Sequence, residues 1–130
     1  MPTAVIDASA VADWLARATR APRLDLQLDG LDLVAPEIMD VEVLNGVRRW
    51  ERLGAISAEH AAMVVDGLVT APIERFRTTP LLHSAWLLRH NLTAYEAVYV
   101  ALARVLDCPL VTSDRRLTRA PDLGITTIVV

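Results

Sequence analysis

There is no lysine in these 130 residues, and all thirteen basic side chains are arginines. That absence removes whole classes of active site. A P-loop needs the lysine of its GK[ST] element and a receiver-type phosphoacceptor domain needs a lysine beside its acids, so neither can be built here. Cysteine is nearly absent too. The single Cys108 excludes an internal disulfide and gives no hint of a metal cluster; beside Pro109 at the edge of an apolar run, it reads as packing. No apolar run reaches the roughly eighteen residues needed to span a bilayer. The N-terminus lacks a basic region followed by a signal-type apolar stretch, so no membrane contact and a cytoplasmic location are expected. Positive charge is not in excess either. A net charge of -3 argues against a broad basic surface for nucleic acid, because affinity for phosphates rests on many cationic contacts. Any nucleic-acid binding must then be local or metal-assisted.

What is present is apolar and regularly punctuated. A chain that is 53% hydrophobic and 22% charged fits one compact domain over residues 1–130, with a sizeable core. Short β-branched runs predict strands over Thr3 to Ile6, Leu31 to Val34, Ile73 to Phe76, Leu110 to Thr112 and Thr126 to Val129. Helical periodicity fills the intervals: Ser9 to Arg17, Pro36 to Leu53, Ala58 to Val69, Pro80 to His90 and Ala94 to Leu106, with a short helix after Asp114. Pro36 suits a first helical turn, Gly54 a C-terminal cap, and Ser57 and Thr93 N-caps. Strands separated by helical connections imply a parallel sheet of about five strands covered on both faces, a three-layer α/β/α sandwich. In such sheets ligands bind beyond the carboxyl ends of the strands, where the strand order reverses.

Two acids stand at such ends. Asp7 closes the apolar run of VIDAS, and Asp114 follows LVTS in PLVTSDRRL. Each also suits an N-cap, Asp7 for the helix near Ser9 and Asp114 for the DRRL turn. In PEIMDVEVLNGVRR, Glu42 shares a helical stripe with Ile38, Asn45 and Gly46, beside the apolar arc of Met39, Val43, Val47 and Trp50, which makes it half-buried. Asp40 points to the other side and is expected in solvent. Glu96 belongs to LTAYEAVYVALARVL, a helix apolar on nearly every face, where Thr93-x-x-Glu96 also matches a capping box. Capping accounts singly for Asp7, Glu96 and Asp114; four acids feeding one sheet edge could together form an oxygen-rich cage.

Taken in order, VIDAS, PEIMDVEVLNGVRR, LTAYEAVYVALA, LVTSDRRL and the closing GITTIVV resemble a PIN domain, specifically the VapC-type toxin ribonucleases of bacterial toxin-antitoxin pairs. The resemblance spans nearly the whole chain and implies strand order 3-2-1-4-5. It implies that Asp7, Glu42, Glu96 and Asp114 are the catalytic acids that bind Mg²⁺, or Mn²⁺. The family usually has aspartate where Glu96 stands; the extra methylene extends the carboxylate by about 1.5 Å, which binding through water would absorb. The implied activity is metal-dependent endoribonuclease cleavage of RNA phosphodiesters, and the implied partners are a cognate VapB-type antitoxin and a second copy of the chain.

The chemistry agrees with that expectation. Hard divalent cations prefer carboxylate and water oxygens, and up to four clustered negative charges call for counter-ions. Asp7 and Asp114 are the expected primary ligands, with Glu42 as ligand or orienter of the attacking water. Ser9 and Ser113 suit helix caps or a phosphate contact, and Asn45 could steady Glu42. Arg115, Arg116 and Arg119 form either a phosphate contact or a solvated run, whereas Arg48, Arg49 and Arg52 lie further down their helix. His60, His83 and His90 match no ligand spacing. Trp14, Trp50 and Trp86 read as packing at core or interface positions. Two alternatives remain: a non-catalytic PIN-like module whose acidic pocket grips a partner's arginine, and a metal-dependent phosphatase. The second is disfavoured, since VIDAS lacks paired D-x-D acids and no lysine can hold the phosphoryl group.

Overall fold

The computed structural model describes residues 1–18, 28–120 and 123–130. Five strands, β1 (Thr3–Ile6), β2 (Asp32–Pro36), β3 (Ile73–Phe76), β4 (Leu110–Thr112) and β5 (Thr127–Val129), form one all-parallel sheet in the order β3-β2-β1-β4-β5. Between them lie α1 (Ala8–Ala18), α2 (Ile38–Arg52), α3 (Ala58–Thr70), α4 (Leu82–Trp86), α5 (Ala94–Leu106) and α6 (Arg115–Thr118). The expected order and layering hold. Among the described residues no helix is long and apolar enough to cross a membrane.

Burial explains why the central strands lack the polar alternation of an exposed sheet. Ala4, Val5 and Ile6 of β1 and Leu110 and Val111 of β4 are fully buried, because helices cover both faces. Helices α1, α2 and α3 pack together, while α5 lies against β1, β2 and β4 and carries α4 on its back. Right-handed crossovers put these two groups on opposite faces. The apolar run from Ala97 to Ala103 of α5 is buried throughout, as a helix running through the interior requires.

The local signals hold at most boundaries. Ser57 caps α3 by accepting from the His60 N–H at 3.0 Å, and Gly54 follows α2 with a φ of 75°, the left-handed conformation that ends a helix. Two expectations are corrected. Pro36 is not in the first turn of α2: it ends β2 in register with Phe76, and α2 begins at Ile38. A proline donates nothing to a ladder, so it fits a strand terminus as readily as a helix start. The helix expected from Pro80 to His90 is broken into a 3-10 turn, Thr79–Leu81, and the short α4. After Trp86 the chain tightens into three-residue steps, with the Leu88 N–H bonded to the Ala85 carbonyl and the Asn91 N–H to that of Leu88. This brings Leu92 into the core and leaves Thr93 free to start α5.

Asp40 is not simply in solvent. Arg75 of β3 donates from Nη2 to its carboxylate at 3.0 Å, and also to the carbonyls of Leu68 at 2.9 Å, Ala71 at 3.1 Å and Ile73 at 2.7 Å. One guanidinium thereby satisfies carbonyls at the C-terminal end of α3 and ties that end to α2.

Candidate active site

The ends of β1 and β4 lie side by side at the point where the strand order reverses. The Asp7 N–H donates to the Val111 carbonyl at 3.0 Å, so the backbone of the first acid is held by the second strand. Asp7 Oδ1 accepts from the Ser9 hydroxyl at 2.7 Å and from the Ala10 N–H at 3.0 Å, which caps α1. The Thr112 hydroxyl also donates to this carboxylate. Asp7 is only 6% exposed, and burial pushes its carboxyl above the usual range. The three hydrogen bonds oppose that rise and the charge of Asp114 adds to it.

Thr112 also joins the two strand-end acids, because its Oγ1 accepts from the Asp114 N–H at 2.9 Å. Asp114 caps α6: its Oδ1 accepts from the Arg116 N–H at 2.9 Å. The Arg116 side chain turns back onto the same carboxylate, Nε donating to Oδ1 at 3.1 Å and Nη2 to Oδ2 at 2.8 Å. This fork, more than anything else nearby, holds the Asp114 carboxyl below its usual value.

The other two acids come from helices. Glu42, half-buried on α2 as its stripe predicts, accepts at Oε1 from the Tyr99 hydroxyl at 2.7 Å. Burial raises its carboxyl, the Tyr99 bond opposes the rise, and the charges of Asp7 and Glu96 support it. Tyr99 is itself buried, and its oxygen accepts from the Ala8 N–H at the start of α1. Burial and the adjacent Glu42 carboxylate together make this phenol very hard to ionise. Glu96 forms the expected capping box: its Oε1 accepts from the Thr93 N–H at 2.9 Å, and Thr93 Oγ1 accepts from the Glu96 N–H at 3.2 Å.

Asp7, Glu42, Glu96 and Asp114 line one cavity of about 310 Å³, together with Tyr95, Tyr99 and Arg116. A larger hollow of about 520 Å³ reaches Met1 and Thr3 at the opposite end of β1, away from the switch point. In the smaller cavity the donor set is all oxygen and the chemistry suits a hard divalent cation. Among the described residues, no three His, Cys, Asp or Glu side chains close on a common point. In this arrangement Asp114 is bonded to Arg116, and one oxygen of Glu96 to the cap of α5.

The structure therefore brings all four acids to one cavity, and it realises the capping roles of Asp7, Glu96 and Asp114 as well. Sequence reasoning missed Tyr99. It lies one turn after Glu96 on α5, and a buried tyrosine hydroxyl needs a partner, which is the signal that could have found it. Tyr99, rather than Asn45, holds Glu42; Asn45 is exposed. Ser9 ties the strand ends together, donating to Asp7 and accepting from the Ser113 N–H at 3.1 Å, so Ser113 contributes backbone rather than hydroxyl. Arg115 and Arg119 are exposed, as are Arg48, Arg49 and Arg52. Trp14 and Trp50 pack against the core, whereas Trp86 is 65% exposed, with the Arg89 guanidinium 4.6 Å above its ring.

Residues 4–123 match the PIN domain family. The chain is 42% identical over 125 residues to Ribonuclease VapC1 of Mycobacterium tuberculosis (strain ATCC 25618 / H37Rv), which covers 95% of this chain and 94% of that protein. It is 36% identical over 117 residues to Ribonuclease VapC3 of the same strain, covering 89% and 85%. Two crystal structures share the fold. PAE2754 from Pyrobaculum aerophilum superposes with a TM-score of 0.69 at 21% identity over 97% of this chain and 83% of that one. VapBC2 from Rickettsia felis, bound to a DNA fragment from their promoter, superposes with a TM-score of 0.62 at 12% identity over 98% of each chain.

Proposed function

This chain belongs to the PIN-domain family, among the VapC-type ribonucleases, and from that membership we propose that it is the toxin of a toxin-antitoxin pair that hydrolyses RNA at the cavity of Asp7, Glu42, Glu96 and Asp114. The observation that carries the assignment of the site is the convergence of these four acids on one cavity at the carboxyl ends of β1 and β4. Mg²⁺ or Mn²⁺ is the proposed cofactor, with Asp7 and Asp114 as its principal holders. When bound, such a cation supplies positive charge against the phosphate and acidifies water at neutral pH.

The chain's own residues do the rest. Asp7 is fixed by Ser9, Ala10 and Thr112, so its carboxylate needs little reordering to meet a cation. Thr112 sets the distance between the two strand-end acids by bonding one carboxylate and the other residue's backbone. Glu42 has one oxygen held by Tyr99; the other orients the attacking water and takes its proton, a task suited to a carboxyl raised by burial. Glu96 would be the fourth holder through its second oxygen, while Oε1 keeps the cap of α5.

A VapB-type antitoxin is the proposed inhibitor, its arginine entering the acid cavity as a planar fork bridging two carboxylates. A homodimer is proposed as the active form; Leu82, Trp86 and Leu87 are exposed apolar side chains available for a partner. The second reading, a non-catalytic module that grips an arginine, is favoured by one observation, the fork of Arg116 already on Asp114. One experiment separates them. Wild type and Asp7→Asn are incubated with RNA and with small phosphate esters, in Mn²⁺ and in chelator. Cleavage of RNA alone, by wild type alone, in metal alone is expected; no cleavage under any condition would leave the gripping module, and ester hydrolysis would restore the phosphatase.

A further inference from the structure

The arginine fork on Asp114 raises a question of exclusion. Arg116 occupies both carboxylate oxygens, Oδ1 through Nε and Oδ2 through Nη2. The fork takes one lone-pair side of each oxygen, so a cation that approaches Asp114 from that side competes with the guanidinium for it. The pairing is built for exchange. The Arg116 side chain is 84% exposed and extends into the mouth of the acid cavity from solvent, and an ion pair so exposed is weakly held. The carboxylate does not depend on the fork for its position. The Arg116 N–H at 2.9 Å holds it as the cap of α6, and the Thr112 hydroxyl holds the Asp114 backbone.

The identity of the residue decides where it goes next. Guanidinium offers a planar pair of donors that fits a phosphate as well as a carboxylate. Its charge also stays beside the cavity after leaving Asp114, because the backbone of Arg116 is bonded into the α6 cap. In a chain without lysine and with net negative charge, a cation lining the acid cavity is a scarce resource for meeting an anionic strand.

We propose that Arg116 is an exchangeable counter-ion: it holds Asp114 in the metal-free protein, a divalent cation displaces it, and the freed guanidinium binds a phosphate of the RNA at the cavity mouth. The inference rests on the ribonuclease reading above and adds to it the residue that couples cation loading to substrate binding. It also makes the exchange reciprocal, since each occupant of Asp114 weakens the other.

Titration calorimetry with Mn²⁺ alone, on wild type, Arg116→Gln and Arg116→Lys, tests the first half. Removing the competing fork should tighten Mn²⁺ binding roughly 2- to 5-fold in Arg116→Gln, the range an exposed ion pair allows. Arg116→Lys keeps a charge but not the fork and should fall between. The second half is read from kcat and KM on a single-stranded oligoribonucleotide at several salt concentrations. Arg116→Gln should raise KM and flatten the slope of log KM against log salt by about 0.7, the loss of one phosphate contact. A merely structural arginine would shift neither metal affinity nor salt slope. Unchanged or weaker Mn²⁺ binding by Arg116→Gln would overturn the exchange, and an unchanged KM and salt slope would overturn the phosphate contact. Wild type that binds Mn²⁺ yet cuts no RNA would instead overturn the ribonuclease reading and the phosphate contact with it, and the Mn²⁺ titration would still decide the exchange.

Discussion

Replacing Tyr99 by phenylalanine removes one oxygen and nothing else, so its cost can be worked from the structure. Two hydrogen bonds are lost: the 2.7 Å bond donated to Glu42 and the bond accepted from the Ala8 N–H. A bond to a charged group contributes about 1.5–3 kcal/mol, and because Glu42 is only half-buried the lower end applies. The Ala8 N–H, left without its acceptor at the start of α1, adds about 1 kcal/mol. The sum is about 2–3 kcal/mol. For 130 residues, unfolding entropy near 60 °C makes 1 kcal/mol equal to about 4 °C, so Tm should fall by about 8–12 °C in the metal-free protein. The same change removes the bond that opposes the rise of the Glu42 carboxyl. The acid limb of metal-dependent RNA cleavage should therefore move to higher pH. Calorimetric melting at neutral pH and a pH–rate profile read both effects. A Tm within about 2 °C of wild type, with an unmoved acid limb, would refute the argument that this phenol positions Glu42.

Three further outcomes are expected. Mn²⁺ should raise the Tm of wild type but not of Asp7→Asn, while metal-free Asp7→Asn should be at least as stable as wild type, since burial already disfavours the charge it removes; a clear loss of metal-free stability would make Asp7 a cap only. The same raised carboxyl fixes a sign: between its ordinary value of 3.8 and its folded value the native state holds a proton that the unfolded chain has released. The contribution of Asp7 to stability should thus fall as pH rises through that window, and Asp7→Asn should remove that component from denaturant midpoints measured against pH. Glu96→Gln should keep the capping box and a Tm within about 1 °C, yet impair cleavage, whereas Glu96→Asp should keep or improve it; full activity of Glu96→Gln would confine the residue to its cap. Finally, an arginine-bearing antitoxin tail peptide should bind more weakly in excess Mg²⁺ and more weakly to Asp7→Asn, read by fluorescence titration; equal affinity throughout would place the inhibitor elsewhere.

The sheet was legible because its central strands are buried on both sides. Runs such as AVI and PLV have no polar alternation to confuse them, and the helical intervals between them allow only parallel pairing. The four acids were legible for the same reason, as charges at the ends of apolar runs or at the margin of an apolar arc. What stayed hidden depends on where a chain goes next rather than on local pattern. Pro36 suits a helix start and a strand end equally, and only pairing with Phe76 decides. Asp40 looks solvated until β3 brings Arg75 to it from 35 positions away. Tyr99 sits in an unbroken apolar run, and periodicity cannot tell which buried position ends at the cavity. The fork of Arg116 was hidden differently, since DRR reads as a surface run until α6 turns the second arginine back on its own cap.

The pairing of β1 with β4 has a consequence for the birth of the protein. Val5 is made long before its partner Leu110, from which more than a hundred positions separate it. Until β4 emerges, β1 has one neighbour only, and Asp7 lacks the Val111 carbonyl, the Thr112 hydroxyl and the facing acid. Non-local parallel pairing is also slow to form, because the long loop must close before any contact rewards it. A nascent chain therefore carries no finished cavity until β4 has emerged from the ribosome. The topology alone makes the cavity late to form, because the acids of β1 and α2 wait, already synthesised, for the strand that completes it.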